Sequence, residues 1–168
     1  MGKSNIVLIG FMGTGKSTVG RMLSERLGWT FTDTDILIER QQGTTISEIF
    51  RLHGEAAFRK IESETIEAVL QGERQVVSTG GGAVLAEQNR RNMLEGGLVV
   101  ALSATAETII ERVSQDQTRP LVQGDVSERV HTLLETRKHA YDFAELRIDT
   151  SELSVEQIVQ KIVDALQS

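Results

Sequence analysis

Residues 10–17 have the sequence Gly-Phe-Met-Gly-Thr-Gly-Lys-Ser, which matches the phosphate-binding pattern Gly-x-x-x-x-Gly-Lys-(Ser/Thr) at every fixed position. The apolar run Ile-Val-Leu-Ile precedes this stretch at residues 6–9, and residues 16–27 follow it with apolar side chains at helical spacing. A buried strand before the loop and an amphipathic helix after it are the context in which this pattern binds phosphate. We therefore predict that the chain binds a nucleoside triphosphate with Mg²⁺. The alternative is a glycine-rich turn that merely precedes a helix.

Each residue type in this loop has a physical reason. Gly13 and Gly15 let the backbone curl so that successive N–H groups point inward at phosphate oxygens. The first turn of the following helix adds its partial positive charge. Lys16 can reach the β- and γ-phosphates, and the Ser17 hydroxyl can ligate Mg²⁺. Nucleotide binding alone leaves switch proteins, ATPases and small-molecule kinases open.

The rest of the chain alternates between short apolar runs and stretches with helical spacing. Further strands are predicted at residues 29–32, 76–79, 98–102 and 146–148. Helices are predicted at residues 36–41, 45–53, 55–70, 87–94, 106–113, 127–144 and 155–166. Strands that alternate with helices predict a parallel sheet with right-handed crossovers. We expect one doubly wound α/β domain over residues 1–168, in which helices flank a five-stranded parallel sheet on both faces.

The composition limits the class of protein. The 168 residues suit one domain, and 39% hydrophobic and 25% charged residues are typical of a globular chain. The absence of cysteine excludes disulfides and thiolate metal sites and fits a reducing cytoplasm. No apolar run is long enough to cross a membrane, and residues 1–9 do not predict a secretory signal. The net charge of −6 argues against nucleic-acid binding, and we expect a cytoplasmic monomer that binds small molecules.

Two acidic residues, Asp33 and Asp35, follow the second predicted strand with one threonine between them. In a parallel sheet, the carboxyl ends of the strands open onto the crevice that holds the phosphates. One carboxylate could bind Mg²⁺ through water, and the other could accept a proton from an attacking hydroxyl. The alternative is structural, because Thr34 or Asp35 could instead cap the helix predicted at residues 36–41. Spacing alone leaves both interpretations open.

Further motifs follow the loop and the acidic pair in order. They are Phe-Arg-Lys-Ile-Glu at residues 58–62, three glycines at residues 80–82, Thr-Arg-Pro-Leu at residues 118–121, and Arg137 four residues before Tyr141. In this combination the sequence resembles the shikimate kinase family, a branch of the nucleoside-monophosphate-kinase-like P-loop proteins. The matches run from residue 6 to residue 149 and cover nearly the whole chain. The phosphate loop is common to many families, whereas the ordered combination is highly specific.

The resemblance implies a reaction and a division of the chain. The γ-phosphoryl group of ATP would be transferred, with Mg²⁺, to the 3-hydroxyl of shikimate, a step of aromatic amino-acid synthesis. Residues 34–61 would form the substrate-binding helical segment, and residues 114–125 would form a lid over the nucleotide. The polar residues around the single proline in this second segment fit a closing loop, although a plain connector is the alternative.

The resemblance also implies roles for individual residues. Lys16, Asp35 and Arg119 would be catalytic, with Asp35 as the base, and Ser17 and Asp33 would hold the magnesium. The residues that contact ATP would be Gly13, Thr14, Gly15, Lys16, Ser17, Thr18, Arg112 and Arg119, with Arg112 against the adenine. The residues that bind shikimate would be Asp35, Arg59, Gly80, Gly81, Gly82 and Arg137, with the two arginines on its carboxylate.

The residue chemistry supports some of these roles independently. An arginine fork matches the two oxygens of a carboxylate, and Glu62 can orient Arg59 because it lies three residues further along the same predicted helix. Without the family match, a solvated Arg59–Glu62 ion pair and a surface charge at Arg137 are the simpler interpretations. The glycines at residues 80–82 leave no side chain between backbone and ligand, although a flexible turn is the alternative.

Two other classes of protein share the loop. A related small-molecule kinase, such as a gluconate kinase, would also use paired arginines, but the acidic pair together with the triple glycine favours shikimate. A GTPase-type switch would carry an Asn-Lys-x-Asp stretch, and none occurs in the sequence. Residues 150–154 correspond to a family loop near the adenine in which some members have an arginine. This chain has none there, which leaves Arg112 as the main candidate for the adenine contact.

Overall fold

The computed structural model describes residues 4–114 and 126–167, along which five strands and seven α-helices alternate. The strands are β1 (Asn5–Ile9), β2 (Thr30–Asp33), β3 (Gln75–Ser78), β4 (Leu98–Ser103) and β5 (Leu146–Asp149). The helices are α1 (Lys16–Leu27), α2 (Thr34–Gln42), α3 (Ile46–Val69), α4 (Glu87–Gly96), α5 (Ala106–Ser114), α6 (Val126–Thr136) and α7 (Val155–Gln167), with a 3₁₀ turn at Ala83–Leu85. None of these helices is both long and apolar enough to cross a membrane.

All five strands are parallel and lie in the order β2-β3-β1-β4-β5. The central strand is β1, in which Val7 is paired with Val77 of β3 on one side and with Val99 of β4 on the other. These three valines are fully buried, as expected for parallel strands covered on both faces. The structure confirms the predicted five-stranded parallel sheet of an α/β fold.

Two cores lie on opposite faces of the sheet, because successive side chains of a strand point to opposite sides. Ile6 and Leu8 pack with residues of α1 and α7. Val7 and Ile9 pack with residues of α3 and α4. Helices therefore cover both faces, as predicted, and the carboxyl ends of the parallel strands meet at one edge of the sheet.

Most predicted helices agree with the structure to within two residues at each end. Thr45 caps α3 by accepting the Glu48 N–H at 3.1 Å, and this helix is interrupted at Gly54, whose φ of 85° and ψ of 172° are not helical. The helix predicted at residues 127–144 is too long, because α6 ends at Thr136 and turns follow. The apolar residues Ala140, Tyr141, Phe143 and Ala144 have the spacing of a helix face, but they pack on the core from those turns.

Candidate active site

The phosphate loop, residues 10–15, joins the end of β1 to the start of α1. Gly13 and Gly15 have φ of 77° and 95°, in the left-handed region, so the loop curls as the sequence predicted. The Thr14 side chain is buried and donates to the Phe11 carbonyl oxygen at 2.8 Å, so Thr14 can meet a phosphate only through its backbone. Because α1 begins directly after the loop, the partial positive charge of a helix amino end lies at the same place.

Lys16 and its two neighbours in the first turn of α1 lie beside the loop, where the sequence predicts that they contact phosphate. Lys16 Nζ donates to the carbonyl oxygens of Gly10 at 2.5 Å and Phe11 at 3.1 Å, so the ammonium group lies over the loop. Ser17 and Thr18 are exposed and accessible to a ligand. A fixed positive charge beside the loop can compensate the charge of a transferring phosphoryl group.

Asp33, the last residue of β2, uses its two carboxylate oxygens for different purposes. Oδ1 accepts the backbone N–H groups of Asp35 at 2.9 Å and Ile36 at 3.2 Å, and so caps α2. Oδ2 accepts the Ser17 hydroxyl at 3.3 Å. The cap of α2 is therefore Asp33 rather than Thr34 or Asp35. This side chain combines the structural role with a position at the phosphate loop.

The Ser17 hydroxyl and the Asp33 carboxylate fit the donor set that Mg²⁺ prefers. Both are hard oxygen donors, and they lie next to each other at the mouth of the loop. Within residues 4–114 and 126–167, no group of three or more histidine, aspartate or glutamate side chains is arranged to hold a metal ion. Mg²⁺ commonly binds with one or two protein ligands and completes its shell with phosphate oxygens and water. The residues present suit that mode.

Asp35 lies in the first turn of α2, with its carboxylate against the backbone that follows β3. Its Oδ1 is buried and has no hydrogen-bond partner among the described residues. Burial raises the pKa of Asp35 to about 6, the carboxylates of Asp33 and Glu62 add to the rise, and Lys16 opposes it. This carboxylate is ionised at neutral pH yet more basic than an ordinary aspartate. Asp35 can therefore accept a proton from a hydroxyl placed beside it.

Arg59 and Glu62 form an ion pair on α3, with Nη1 2.8 Å from Oε1. The Glu62 side chain is 1% exposed, whereas the second acidic neighbour of Arg59, Glu55, is 64% exposed and 3.5 Å away. Burial raises the pKa of Glu62, and the Arg59 guanidinium opposes that rise. The interpretation as a solvated ion pair is therefore wrong. Glu62 is a buried group that holds the Arg59 guanidinium in one orientation.

Gly80 brings the backbone after β3 against two carboxylates. A methyl group on Gly80 would lie 3.1 Å from both carboxylate oxygens of Asp35 and 3.3 Å from Glu62 Oε2. Glu62 Oε2 is buried and has no hydrogen-bond partner among the described residues. Two carboxylates with unsatisfied oxygens therefore meet beside a backbone that carries no side chain. A polar ligand in this place would satisfy both.

Gly81 and Gly82 approach the two arginines. A methyl group on Gly81 would lie 3.2 Å from Arg137 Nη1, and one on Gly82 would collide with the Arg59 guanidinium. The Tyr141 hydroxyl donates to the Gly81 carbonyl oxygen at 2.7 Å and ties this backbone to the turns that follow Arg137. Both guanidinium groups therefore lie beside one short stretch of backbone. This crowding favours a binding site over a flexible turn.

Arg137 also connects this stretch to the phosphate loop. Its guanidinium carbon lies 5.9 Å from the ring centre of Phe11, within the loop. Phe11 is 2% exposed and packs with Ile109 and Val113 of α5, so its ring is fixed. The group of arginines and carboxylates is therefore next to the phosphate site, as the acceptor site of a phosphoryl transfer must be.

Arg112 is predicted to contact the adenine. Its Nη1 lies on the side of the phosphate loop to which the Gly13 carbonyl group points, which we call the outer side. It donates to the Gly13 carbonyl oxygen at 2.7 Å and to Thr150 Oγ1 at 3.3 Å. The adenine contact stays a prediction. Thr150 Oγ1 also lies 3.0 Å from the Thr14 carbonyl oxygen, a contact with the loop that the sequence patterns did not indicate, since a single threonine after a strand has many structural uses.

The predicted lid lies almost wholly outside the described residues. Of residues 114–125, the structure describes only Ser114, the last residue of α5. Arg119 belongs to the part that is not described, so its proposed role stays a prediction from the sequence.

The fold and the site define a class of enzyme. The loop and Lys16 suit a nucleoside triphosphate, and an adjacent group of two guanidinium groups with a basic carboxylate suits an acceptor that carries a hydroxyl and an acidic group. This combination at one edge of a parallel sheet is that of a P-loop kinase for a small molecule.

Comparison with known proteins identifies the family. The sequence profile of the family described as shikimate kinase matches residues 12–167. A shikimate kinase of Geobacter metallireducens is 47% identical over 97% of this chain and 92% of its own length. The solved structure of a shikimate kinase from Acinetobacter baumannii in complex with shikimate has a TM-score of 0.92 at 36% identity and covers 98% of this chain and 93% of that one. The chain belongs to the shikimate kinase family.

A gluconokinase also resembles the structure. The enzyme from Sinorhizobium meliloti has a TM-score of 0.64 at 20% identity and covers 98% of this chain and 92% of that one. This is a likeness of fold alone. The alternative of a gluconate kinase is therefore less well supported than shikimate kinase.

Proposed function

We propose that this chain transfers the γ-phosphoryl group of ATP to the 3-hydroxyl of shikimate, which yields shikimate 3-phosphate and ADP in aromatic amino-acid synthesis. The observation that carries the proposal is the grouping of Asp35, Arg59 and Arg137 around the backbone of residues 80–82, next to the phosphate loop. The relative from A. baumannii, whose structure contains shikimate, supports the same acceptor.

ATP would bind with its phosphates in the loop. The backbone N–H groups of residues 13–18 and the Lys16 ammonium group would surround the β- and γ-phosphates. Lys16 lies over the loop already, so it needs little rearrangement to stabilise the charge that develops during transfer.

Ser17 and Asp33 would hold Mg²⁺, Asp33 through water. When bound, the ion would neutralise part of the charge of the phosphates. Asp33 can serve without losing its cap on α2, because Oδ1 holds the backbone and Oδ2 faces Ser17.

Shikimate would be held at its carboxylate by the two guanidinium groups. Arg59 is oriented by the buried Glu62, and Arg137 is fixed between the loop and Gly81. A guanidinium fork can bind both oxygens of a carboxylate, which gives orientation as well as affinity. The ring would lie against the glycine backbone, since no side chain occupies that space.

Asp35 would accept the proton of the 3-hydroxyl. As the bond from this oxygen to the γ-phosphorus forms, the bond from the γ-phosphorus to the β,γ-bridging oxygen breaks, and its electron pair leaves with ADP. The hydroxyl proton passes to the Asp35 carboxylate. The raised pKa of Asp35, about 6, suits a proton acceptor that works near neutral pH.

The organisation of the chain is part of the proposal. We propose a single domain over residues 1–168, in which residues 34–61 form the shikimate-binding segment and residues 114–125 form the lid. The first segment contains α2, which carries Asp35, and α3 as far as Ile61, which carries Arg59. A phosphoryl-transfer enzyme must exclude water or lose ATP to hydrolysis, and Arg119 would bring a further positive charge to the transferring group on closure.

We also propose that the enzyme is a cytoplasmic monomer with no nucleic-acid or membrane partner. The lack of cysteine and the net charge of −6 support this. Large apolar side chains that are exposed within the described ranges are Ile36, Leu52 and Leu85. Three such residues are few for an obligate interface.

A coupled assay of ADP release, with shikimate, quinate and gluconate as acceptors, tests the reaction. We expect release to depend on shikimate, to need Mg²⁺, and to be much slower with the other two. Release that is independent of the acceptor, or faster with gluconate, would contradict the proposal.

Arg59→Lys tests the acceptor site in the same assay. Lysine keeps the charge but not the fork, so the KM for shikimate should rise while the KM for ATP stays unchanged. Arg51→Lys is the matched control, because Arg51 lies on α3 as well, is 66% exposed and forms an ion pair with the nearby Glu48. Equal effects of the two substitutions would argue against the assignment.

A further inference from the structure

Thr150 and Arg112 hold the phosphate loop from its outer side. Thr150 Oγ1 donates to the Thr14 carbonyl oxygen at 3.0 Å, and the Arg112 guanidinium donates to the Gly13 carbonyl oxygen at 2.7 Å. Arg112 comes from α5, and Thr150 directly follows β5. The two side chains are also bonded to each other, since Thr150 Oγ1 accepts from Arg112 Nη1 at 3.3 Å.

These bonds fix the direction of two backbone N–H groups. In a planar trans peptide, the C=O of one residue and the N–H of the next point in opposite directions. The Gly13 carbonyl therefore shares its plane with the Thr14 N–H, and the Thr14 carbonyl shares its plane with the Gly15 N–H. Carbonyl groups held toward Arg112 and Thr150 aim both N–H groups to the other side of the backbone, where the phosphates would lie.

Thr150 is well placed to fix the loop because it is itself fixed. Its backbone N–H donates to the Ser103 carbonyl oxygen at 2.7 Å, which continues the pairing of β4 with β5. Its side chain is 2% exposed, and Oγ1 lies 3.0 Å from the same Ser103 oxygen, so the one hydroxyl proton is shared between the Ser103 and Thr14 carbonyl oxygens. A buried hydrogen bond of this kind has little competition from water. The hydroxyl thus joins the loop to the end of the sheet.

We propose that Thr150 is a positioning residue for the nucleotide, whose hydroxyl, together with Arg112, holds the peptide planes of residues 13–15 in the orientation that binds phosphate. The inference rests on the proposed function only in so far as the loop binds ATP and ADP. The shikimate site does not enter it.

Two substitutions separate the hydroxyl from the rest of the side chain. Thr150→Val keeps the shape and removes the hydroxyl, whereas Thr150→Ser keeps the hydroxyl and removes a methyl group. Dissociation constants for Mg·ADP and for shikimate would be measured separately by calorimetry. We expect Thr150→Val to bind ADP about tenfold more weakly, and Thr150→Ser to stay within about twofold of the wild type. The shikimate constant should change by less than about twofold in both variants.

Thr65→Val is the matched control. Thr65 is also buried, at 7% exposure, and its Oγ1 donates to the Ile61 carbonyl oxygen at 2.8 Å within α3. The substitution removes the same kind of bond away from the loop. It should lower stability without changing the affinity for ADP.

Several results would overturn the inference. These are an unchanged ADP constant in Thr150→Val, an equal loss of ADP affinity in Thr65→Val, or a Thr150→Ser variant as weak as Thr150→Val. Should Thr150→Val fail to fold, Thr150→Ala removes the same hydroxyl without adding a clash, and failure of both to fold would assign Thr150 to overall stability instead. If ADP affinity responds as expected but the wild type does not phosphorylate shikimate, the proposed function fails and this inference stands.

Discussion

Replacing Glu62 with glutamine removes one charge from the acceptor site and leaves its shape unchanged. In the wild type, the Glu62 carboxylate is 1% exposed and lies 2.8 Å from Arg59 Nη1. The glutamine oxygen could still accept that hydrogen bond, but the bond would involve only one charged partner. Arg59 would then be held less firmly at the position where we propose that it binds the shikimate carboxylate.

The size of the effect follows from the surroundings of Arg59. Removing one partner of a fully buried ion pair costs about 3–5 kcal/mol. Arg59 is 27% exposed and has Glu55 as a second partner at 3.5 Å, which reduces that cost. Glutamine also keeps a hydrogen bond worth about 1 kcal/mol. Burial raises the pKa of Glu62, so the folded protein disfavours this charge, and its loss offsets the rest of the cost. We therefore expect the free energy of unfolding to change by less than about 1 kcal/mol, which shifts the Tm of a chain of this length by less than about 4 °C.

Urea denaturation and steady-state kinetics of Glu62→Gln would measure both consequences. The KM for shikimate should rise about tenfold while the KM for ATP is unchanged, since we propose that Arg59 binds the acceptor and not the nucleotide. Glu55→Gln is the control, because an ion pair with a 64% exposed partner should contribute less than about 0.5 kcal/mol. A fall of more than about 3 kcal/mol in Glu62→Gln would refute the reasoning about burial. An unchanged KM for shikimate in Glu62→Gln would refute its role in orienting Arg59.

The other predictions concern the loop, the glycines, the lid and the metal. Lys16→Met should lower kcat by about 10²–10³, because one preorganised charge is lost; near-normal turnover of the folded variant would contradict the loop assignment. Gly80→Ala should weaken shikimate binding but not ADP binding in calorimetry, since its methyl group would lie 3.1 Å from the carboxylate oxygens of Asp35. Arg119→Ala should lower the single-turnover rate while the Kd for shikimate stays within about threefold; unchanged turnover would make the segment a connector. Chelation of Mg²⁺ by EDTA should abolish turnover and leave shikimate binding intact.

Much of the fold follows from local sequence patterns. Residues 6–9 form a continuous apolar run because β1 is covered on both faces, and this run together with the following helical spacing predicted the β1–α1 unit. The end of α6 did not follow in this way, because residues 140–144 have helical spacing but pack from turns. The spacing of apolar residues indicates which side chains are buried, but it does not determine whether the backbone there is a helix or a series of turns. The 3₁₀ turn at Ala83–Leu85 is too short to have a recognisable period.

The parts of the site that could be predicted are those whose residues lie close together in the sequence. The loop lies within one short segment, so its spacing predicted phosphate binding. The spacing of the acidic pair left a catalytic role and a capping role open. The burial of Glu62 depends on the packing of α3 against the backbone after β3, which no local pattern contains. Thr150 contacts the loop across 136 positions of the chain. Asp33 was predicted as a metal ligand, and its cap on α2 became visible only when the direction of each carboxylate oxygen was known.

The position of the transferred phosphoryl group tests the central claim most directly. The product that the wild-type enzyme forms from ATP and shikimate would be analysed by two-dimensional ¹H–³¹P NMR, with Asp35→Asn as the control. We predict a single new phosphorus signal coupled to the proton on carbon 3, formed about 10²–10⁴ times more slowly by Asp35→Asn. A phosphorus coupled to a proton on another ring carbon, or the absence of any phosphorylated product from the wild type, would contradict the claim.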